Sequence, residues 1–167
     1  MVETCFGHQL KEELFIPVDV LRRQKHTLTI ASTVIGKCCG SRGGQAESKV
    51  LLSEVAADDF DGVLFIGGGG SKLLFNDPDA LRLARAMATA NKPIGAICLA
   101  PVVLAHAGVL VGRKATVAGT EAATIRSAGA EHCGPGVHQD GRIITANGPK
   151  SSLAFAQGFS KLFTTNA

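Results

Sequence analysis

The chain contains no run of about 18 uninterrupted apolar residues, and its first twenty residues include Glu3, Lys11, Glu12 and Glu13 with no continuous apolar segment. Neither a membrane span nor a secretion signal is expected. CxxC spacing is also missing, and the five cysteines (Cys5, Cys38, Cys39, Cys98 and Cys133) are odd in number. That pattern argues against a disulfide framework and fits free thiols in a reducing cytoplasm, the expected location. Adjacent cysteines rarely chelate one metal together in isolation, so Cys38-Cys39 is read as ordinary thiols. The 17 lysines and arginines are scattered and the formal net charge is only +3, so no nucleic-acid or anionic-membrane partner is indicated.

At 167 residues the chain is long enough to bury roughly 70% of its unfolded surface, and one domain over 1–167 is expected. Short apolar runs alternate with longer amphipathic segments, the pattern of parallel strands joined by crossover helices. The expected class is α/β. Strands are predicted at Val2–Phe6, Thr27–Ala31, Lys49–Leu52, Gly62–Ile66, Ile94–Ile97 and Ala115–Val117, followed by a hairpin of Val137–Gln139 and Arg142–Thr145, the one antiparallel pair expected. Helices are predicted at Glu12–Gln24, Pro78–Asn91, Ala100–Ala107, Glu121–Ala128 and Lys150–Phe163. The segment Ile35–Gln45, rich in glycine and cysteine, is too short for a linker and marks no domain boundary.

Three features point to chemistry. Cys98 follows the apolar run Pro93–Ile97 and precedes a predicted helix, a strand-to-helix turn at the carboxyl edge of the sheet, where α/β proteins build sites. The N–H groups and dipole of that helix are expected to favour a thiolate. Position alone leaves a small buried core cysteine as the alternative. Next, the strand Gly62–Ile66 runs into Gly67-Gly68-Gly69-Gly70, a backbone able to aim N–H groups at a developing negative charge or simply to make a tight turn. No Lys-Ser/Thr follows it and its spacing is not that of a dinucleotide fingerprint, so nucleotide binding is not read. Finally, Glu13, Ile16 and Val20 share one face of the first helix; Glu13 is either turned inward or part of a solvated acidic first turn. A buried carboxyl tends to hold its proton and can then donate to a thiolate.

These features resemble the ThiJ/PfpI superfamily, the glutamine-amidotransferase-like family that includes the Parkinson's-disease protein deglycase. Six blocks in order carry the resemblance: Glu13–Arg23, Gly40-Ser-Arg-Gly43, Phe60–Gly69, Gly95–Pro101 with Val-Leu-Ala105 after it, Gly112–Thr116 and Asp140–Pro149. It implies a flavodoxin-like three-layer sandwich, a mostly parallel sheet with helices on both faces, and a homodimer. It maps the nucleophile to Cys98, a protonated partner to Glu13, and the oxyanion site to the backbone N–H groups of Gly68 and Leu99, with Gly69 beside them. Arg42 is assigned to the pocket lining, and Arg22 or Arg23 to the reach toward a partner subunit.

Two departures bear on mechanism. Relatives resembling proteases carry histidine directly after the nucleophile, where this chain has Leu99, and the pocket histidine of the deglycase branch falls at Ala118. His106 lies two helical turns, some 12 Å, beyond Cys98, too far to be its base; His132 and His138 belong to the late hairpin region. The family's first strand is also usually longer and more apolar than Met1–Gln9, which leaves either a frayed edge or an altered start.

The resemblance implies a cysteine-thiolate enzyme acting on reactive carbonyls, as a cofactor-independent glyoxalase or a protein or nucleotide deglycase. The alternatives are a redox sensor or stress chaperone using an oxidisable Cys98, and, behind these, C–N hydrolysis or hydration; peptidase action is disfavoured. No metal or organic cofactor is implied.

Overall fold

The alternation of buried side chains along the central strands decides the architecture. In β6 (Val63–Phe65) and β7 (Ile94–Ile97), Val63, Phe65, Ile94 and Ala96 face one apolar cluster, while Leu64 and Ile97 face another. Strands buried on both faces must be covered on both. The computed structural model describes residues 2–4, 10–39 and 44–164, with backbone alone at 2–4, 10, 11 and 39.

Before β6 come β1 (Val2–Thr4), β2 (Thr29–Ser32), β3 (Gly36–Cys39), β4 (Gln45–Ser48) and β5 (Val50–Leu51); after β7 come β8 (Lys114–Ala115), β9 (Glu131–His132), β10 (Val137–Asp140) and β11 (Ile143–Ala146). The helices are α1 (Leu10–Glu13), α2 (Phe15–Arg23), α3 (Pro78–Thr89), α4 (Pro101–His106), α5 (Ala122–Ser127) and α6 (Ser152–Lys161). The main sheet has seven strands in the order β10-β11-β7-β6-β1-β2-β5, parallel throughout except for the β10–β11 hairpin.

On one face α2 and α6 cover Leu64, Ile97 and Ile144 with Leu14, Val18, Leu21, Phe155 and Phe159. On the other, α3, α4 and α5 contribute Leu83, Met87, Val103 and Ile125. This is the flavodoxin-like three-layer arrangement. Asp77 caps α3, its Oδ1 accepting from the N–H groups of Asp79 and Ala80 at 3.0 and 2.9 Å, with Pro78 in the first turn.

Three elements differ from the sequence reading. The Ile35–Gln45 segment contributes to a second antiparallel pair, β3–β4, with Gly36 opposite Ser48 and Cys39 opposite Gln45. It pairs apart from the main sheet, and its buried face is made of the small or polar side chains Cys38, Ala46 and Ser48, which give no apolar run. The strand predicted at Ala115–Val117 is β8, which pairs with β9 outside the main sheet. The first helix breaks at Leu14 into α1 and α2. Past the break the buried face of α2 is Pro17, Val18 and Leu21, and Ile16 and Val20 are only half-buried.

Candidate functional site

Three adjacent parallel strands, β6, β7 and β11, end at the same edge, and the segments leaving them converge. β7 delivers Cys98. Its φ of 62° lies in the left-handed region, which a side chain with a Cβ rarely enters. The backbone is fixed there from two sides: the Cys98 N–H donates to the Ala146 carbonyl at 2.8 Å, and the Cys98 carbonyl accepts from the Ala118 N–H at 2.8 Å. Three turn residues, Cys98–Ala100, separate β7 from α4, which begins at Pro101. The thiol is thereby lifted out of the sheet as a half-buried side chain.

β6 delivers the glycine run. Gly68 takes φ 111°, open to glycine and strained for anything larger, and Gly69–Leu74 then forms a 3-10 segment held by the Ser71 hydroxyl donating to the Gly68 carbonyl at 2.7 Å. The backbone N–H groups of Gly68 and Leu99 both donate to the Cys98 sulfur. Gly67 has a separate steric role. A Cβ placed on it would lie 2.5 Å from the Cβ of Cys98, 2.6 Å from the Ile97 carbonyl oxygen and 2.9 Å from Oε2 of Glu13. No side chain fits in that position. Reading the glycines as one run gave no hint that this member separates the acid from the thiol.

α1 delivers Glu13, fully buried. No N–H or O–H of the described residues reaches its carboxyl oxygens; the polar group that interacts with it is the Cys98 thiol. Burial therefore raises the Glu13 carboxyl from 4.5 to about 7, the hydrogen bond with Cys98 pulls it partly back, and the neighbouring charge of Glu12 adds to the rise. Cys98 moves in the same direction. Burial, the charge of Glu13 and the hydrogen bond with Glu13 together push the thiol up to about 12, against the lowering by the Gly68 and Leu99 N–H groups.

The expectation of a thiol activated by the helix dipole is corrected accordingly. α4 has only six residues, and the buried carboxylate outweighs the donated N–H groups. Two groups coupled this closely lose protons as a pair, the first near 7 and the second near 12. Between those values the carboxyl carries the negative charge and the thiol keeps its proton.

His106 and His138 are engaged elsewhere. His106 Nδ1 is bound to the Phe75 carbonyl at 2.8 Å and Asn76 Oδ1 at 3.0 Å, and His138 Nε2 lies 3.3 Å from the Pro135 carbonyl. Ala118 occupies the place beside the elbow. Arg23 pairs with Asp19 at 2.9 Å on the exposed side of α2, and Arg22 is exposed there too. Arg42 and Cys5 lie outside the described residues. Among the described residues no group of three or more His, Cys, Asp or Glu side chains could hold a metal, and no helix is long and apolar enough to cross a membrane.

The sequence of this chain matches the DJ-1/PfpI family over residues 5–162. It is 36% identical over 158 residues to a protein of Methanocaldococcus jannaschii, covering 93% of this chain and 77% of that one. It is 33% identical over 154 residues to the deglycase PfpI of Pyrococcus furiosus, covering 90% of each. The fold superimposes on a ThiJ/PfpI domain protein from Brachyspira murdochii with a TM-score of 0.94 at 28% identity, covering 99% of this chain and 96% of that structure. With a strained cysteine at the end of β7, a buried glutamate against it and a match spanning nearly every residue, the chain belongs to the DJ-1/PfpI family.

Proposed function

We propose that this protein converts small α-oxoaldehydes, or their early adducts on amines and thiols, to hydroxy acids, with Cys98 as nucleophile and Glu13 as its proton partner. The observation that carries the reading is the buried contact between Glu13 and a Cys98 sulfur that also accepts N–H groups from Gly68 and Leu99. In the singly ionised pair, the reactive form has the proton on Glu13 and the charge on sulfur.

The sulfur attacks the aldehyde carbon, and the new alkoxide takes hydrogen bonds from the Gly68 and Leu99 N–H groups beside it. Glu13 then moves a proton from the former aldehyde carbon to the neighbouring carbonyl carbon, by way of an enediol, leaving a thioester. Water hydrolyses the thioester, supplying one oxygen and releasing the thiol. From methylglyoxal the product is lactate, with no net oxidation and no step that needs a further co-reactant. From an adduct, the amine or thiol leaves as well. The deglycase name carried by the Pyrococcus furiosus relative supports this substrate class.

The test is lactate formation from methylglyoxal by purified protein. Wild type is expected to turn over, and Cys98→Ser to lose all activity; equal rates in the two would overturn the reading.

A second reading, a redox sensor, is favoured by the partial exposure of the Cys98 sulfur. Addition of one or two oxygens at Cys98 by mild peroxide, in a protein without carbonyl activity, supports it over the first. Peptidase action has no support: His106 and His138 are bound elsewhere.

The family resemblance also leads us to read residues 1–167 as one cytoplasmic domain acting as a homodimer. The half-apolar groove of Phe15, Ile16, Val20 and Leu153, which Arg23 also lines, suits the covering face. Light scattering of the purified protein at the mass of one chain would exclude the dimer.

A further inference from the structure

Two backbone N–H groups donate to the Cys98 sulfur, and the fold aims them by different means. The Leu99 N–H belongs to the peptide unit whose carbonyl, that of Cys98, accepts from the Ala118 N–H at 2.8 Å. A peptide unit is planar, so fixing its oxygen fixes the direction of its N–H as well. The Gly68 N–H lies in the run Gly67–Gly70, where four successive residues have no side chain to pack the backbone in place. At φ 111° Gly68 also occupies a region that glycine enters and leaves freely. The aim of this second donor has to come from hydrogen bonds.

Ser71 supplies two. Its N–H donates to the Gly68 carbonyl at 3.0 Å, and its hydroxyl donates to the same oxygen at 2.7 Å. The first bond closes the 3-10 turn, and any residue with an N–H at position 71 would make it. The second is not needed for the turn. Ser71 is fully buried, and burying a hydroxyl costs free energy that an alanine would not. What the hydroxyl adds is a bond to the second lone pair of the Gly68 oxygen, in a place where Gly68 is itself buried from water. The carbonyl and the N–H of Gly68 flank one Cα, so holding the first limits the swing of the second.

We propose that Ser71 is a positioning residue for this site: its buried hydroxyl fixes the peptide on one side of Gly68 so that the N–H on the other side stays aimed at the Cys98 sulfur. Ser71 touches neither the sulfur nor a substrate and acts through Gly68 alone. Burial and the charge of Glu13 oppose ionisation of the thiol, and the Gly68 and Leu99 N–H groups favour it, so a poorly aimed Gly68 leaves less thiolate at a given pH. The part of Ser71 in holding an alkoxide rests on the carbonyl reading above; its part in thiol reactivity does not.

The experiment follows alkylation of Cys98 by iodoacetamide at mildly alkaline pH in the wild type, Ser71→Ala, Ser71→Thr and Thr145→Val, with peptide masses separating Cys98 from the other cysteines. Ser71→Ala is expected to react roughly fivefold more slowly than wild type, the size of one lost hydrogen bond. Ser71→Thr keeps the hydroxyl and should stay closer to wild type than to Ser71→Ala. Thr145→Val removes a different buried hydroxyl, one that does not bond the glycine run, and should react as wild type does. A wild-type rate in Ser71→Ala overturns the assignment. So does a Ser71→Thr as slow as Ser71→Ala, or a Thr145→Val slowed as much, since either would trace the effect to general loosening. Alkylation involves no carbonyl substrate, which keeps the two readings apart. Slow alkylation of Ser71→Ala in a protein that leaves methylglyoxal untouched removes the carbonyl reading alone, whereas an unaltered rate with Cys98-dependent turnover intact removes only the role of Ser71.

Discussion

Glu13 and Cys98 meet where a Cβ on Gly67 would crowd both, and the charge of the Glu13 carboxyl helps to push the Cys98 thiol up to about 12. The reactivity of the thiol therefore follows the pair rather than the cysteine.

The first prediction concerns pH. The rate of Cys98 alkylation by iodoacetamide should rise through an apparent value near 7, where the pair loses its first proton, and rise again toward 12. In Glu13→Gln the step near 7 should vanish, because the remaining thiol titrates alone. A step near 7 that persists in Glu13→Gln would assign it to another group.

Stability should carry the same signature. The folded carboxyl is raised from 4.5 to about 7, so in this window the folded chain keeps a proton that the unfolded chain has lost. Stability from this group is full below 4.5, declines as pH rises to about 7, and is level above that. Glu13→Gln removes the decline and should exceed wild type above neutrality by a free energy on the order of 3 kcal/mol, converging with it in acid. Urea unfolding across this range measures the gap. A variant less stable than wild type at alkaline pH contradicts the assignment of cost to the ionised carboxyl.

Gly67→Ala should injure both functions of the edge at once. Its methyl meets Cys98, the Ile97 carbonyl and Glu13 at 2.5–2.9 Å, and two of the three contacts involve atoms of the β7 turn that cannot swing away. A loss of about 1–3 kcal/mol is expected from overpacking, together with at least a tenfold drop in thiol alkylation above neutrality. Wild-type alkylation kinetics in Gly67→Ala would mean that the acid and thiol need no fixed spacing.

Thr145→Val tests the scaffold away from the thiol. Thr145 Oγ1 accepts the buried Thr116 N–H at 2.9 Å, tying the chain after β8 to β11. Valine fills the same volume and leaves that N–H unpaired, for a cost of about 1–3 kcal/mol in thermal or chemical unfolding.

The sheet was legible because its central strands are buried on both faces: Gly62–Ile66 and Ile94–Ile97 stand out as apolar runs and coincide with β6 and β7 to within a residue. The late hairpin was legible from its Asp140-Gly141 turn, and Gly141 does take φ 60°. Local pattern could not reveal β3–β4, whose inward side chains Cys38, Ala46 and Ser48 are too small and polar to stand out, or the break at Leu14, past which the buried face of α2 is Pro17, Val18 and Leu21. At the site, the inward turn of Glu13 lay within reach of helical periodicity, one of two readings that it left open. The opposing effects on the thiol did not, because burial and the distance between two charges are properties of the folded chain alone.

The two backbone hydrogen bonds of Cys98, to Ala146 and from Ala118, involve none of its side-chain atoms. The kinked residue is thus clamped by its neighbours whatever group it carries, and the elbow works as a mount separate from the reagent set in it. Replacing that reagent changes the chemistry on offer without asking the sheet to refold around it.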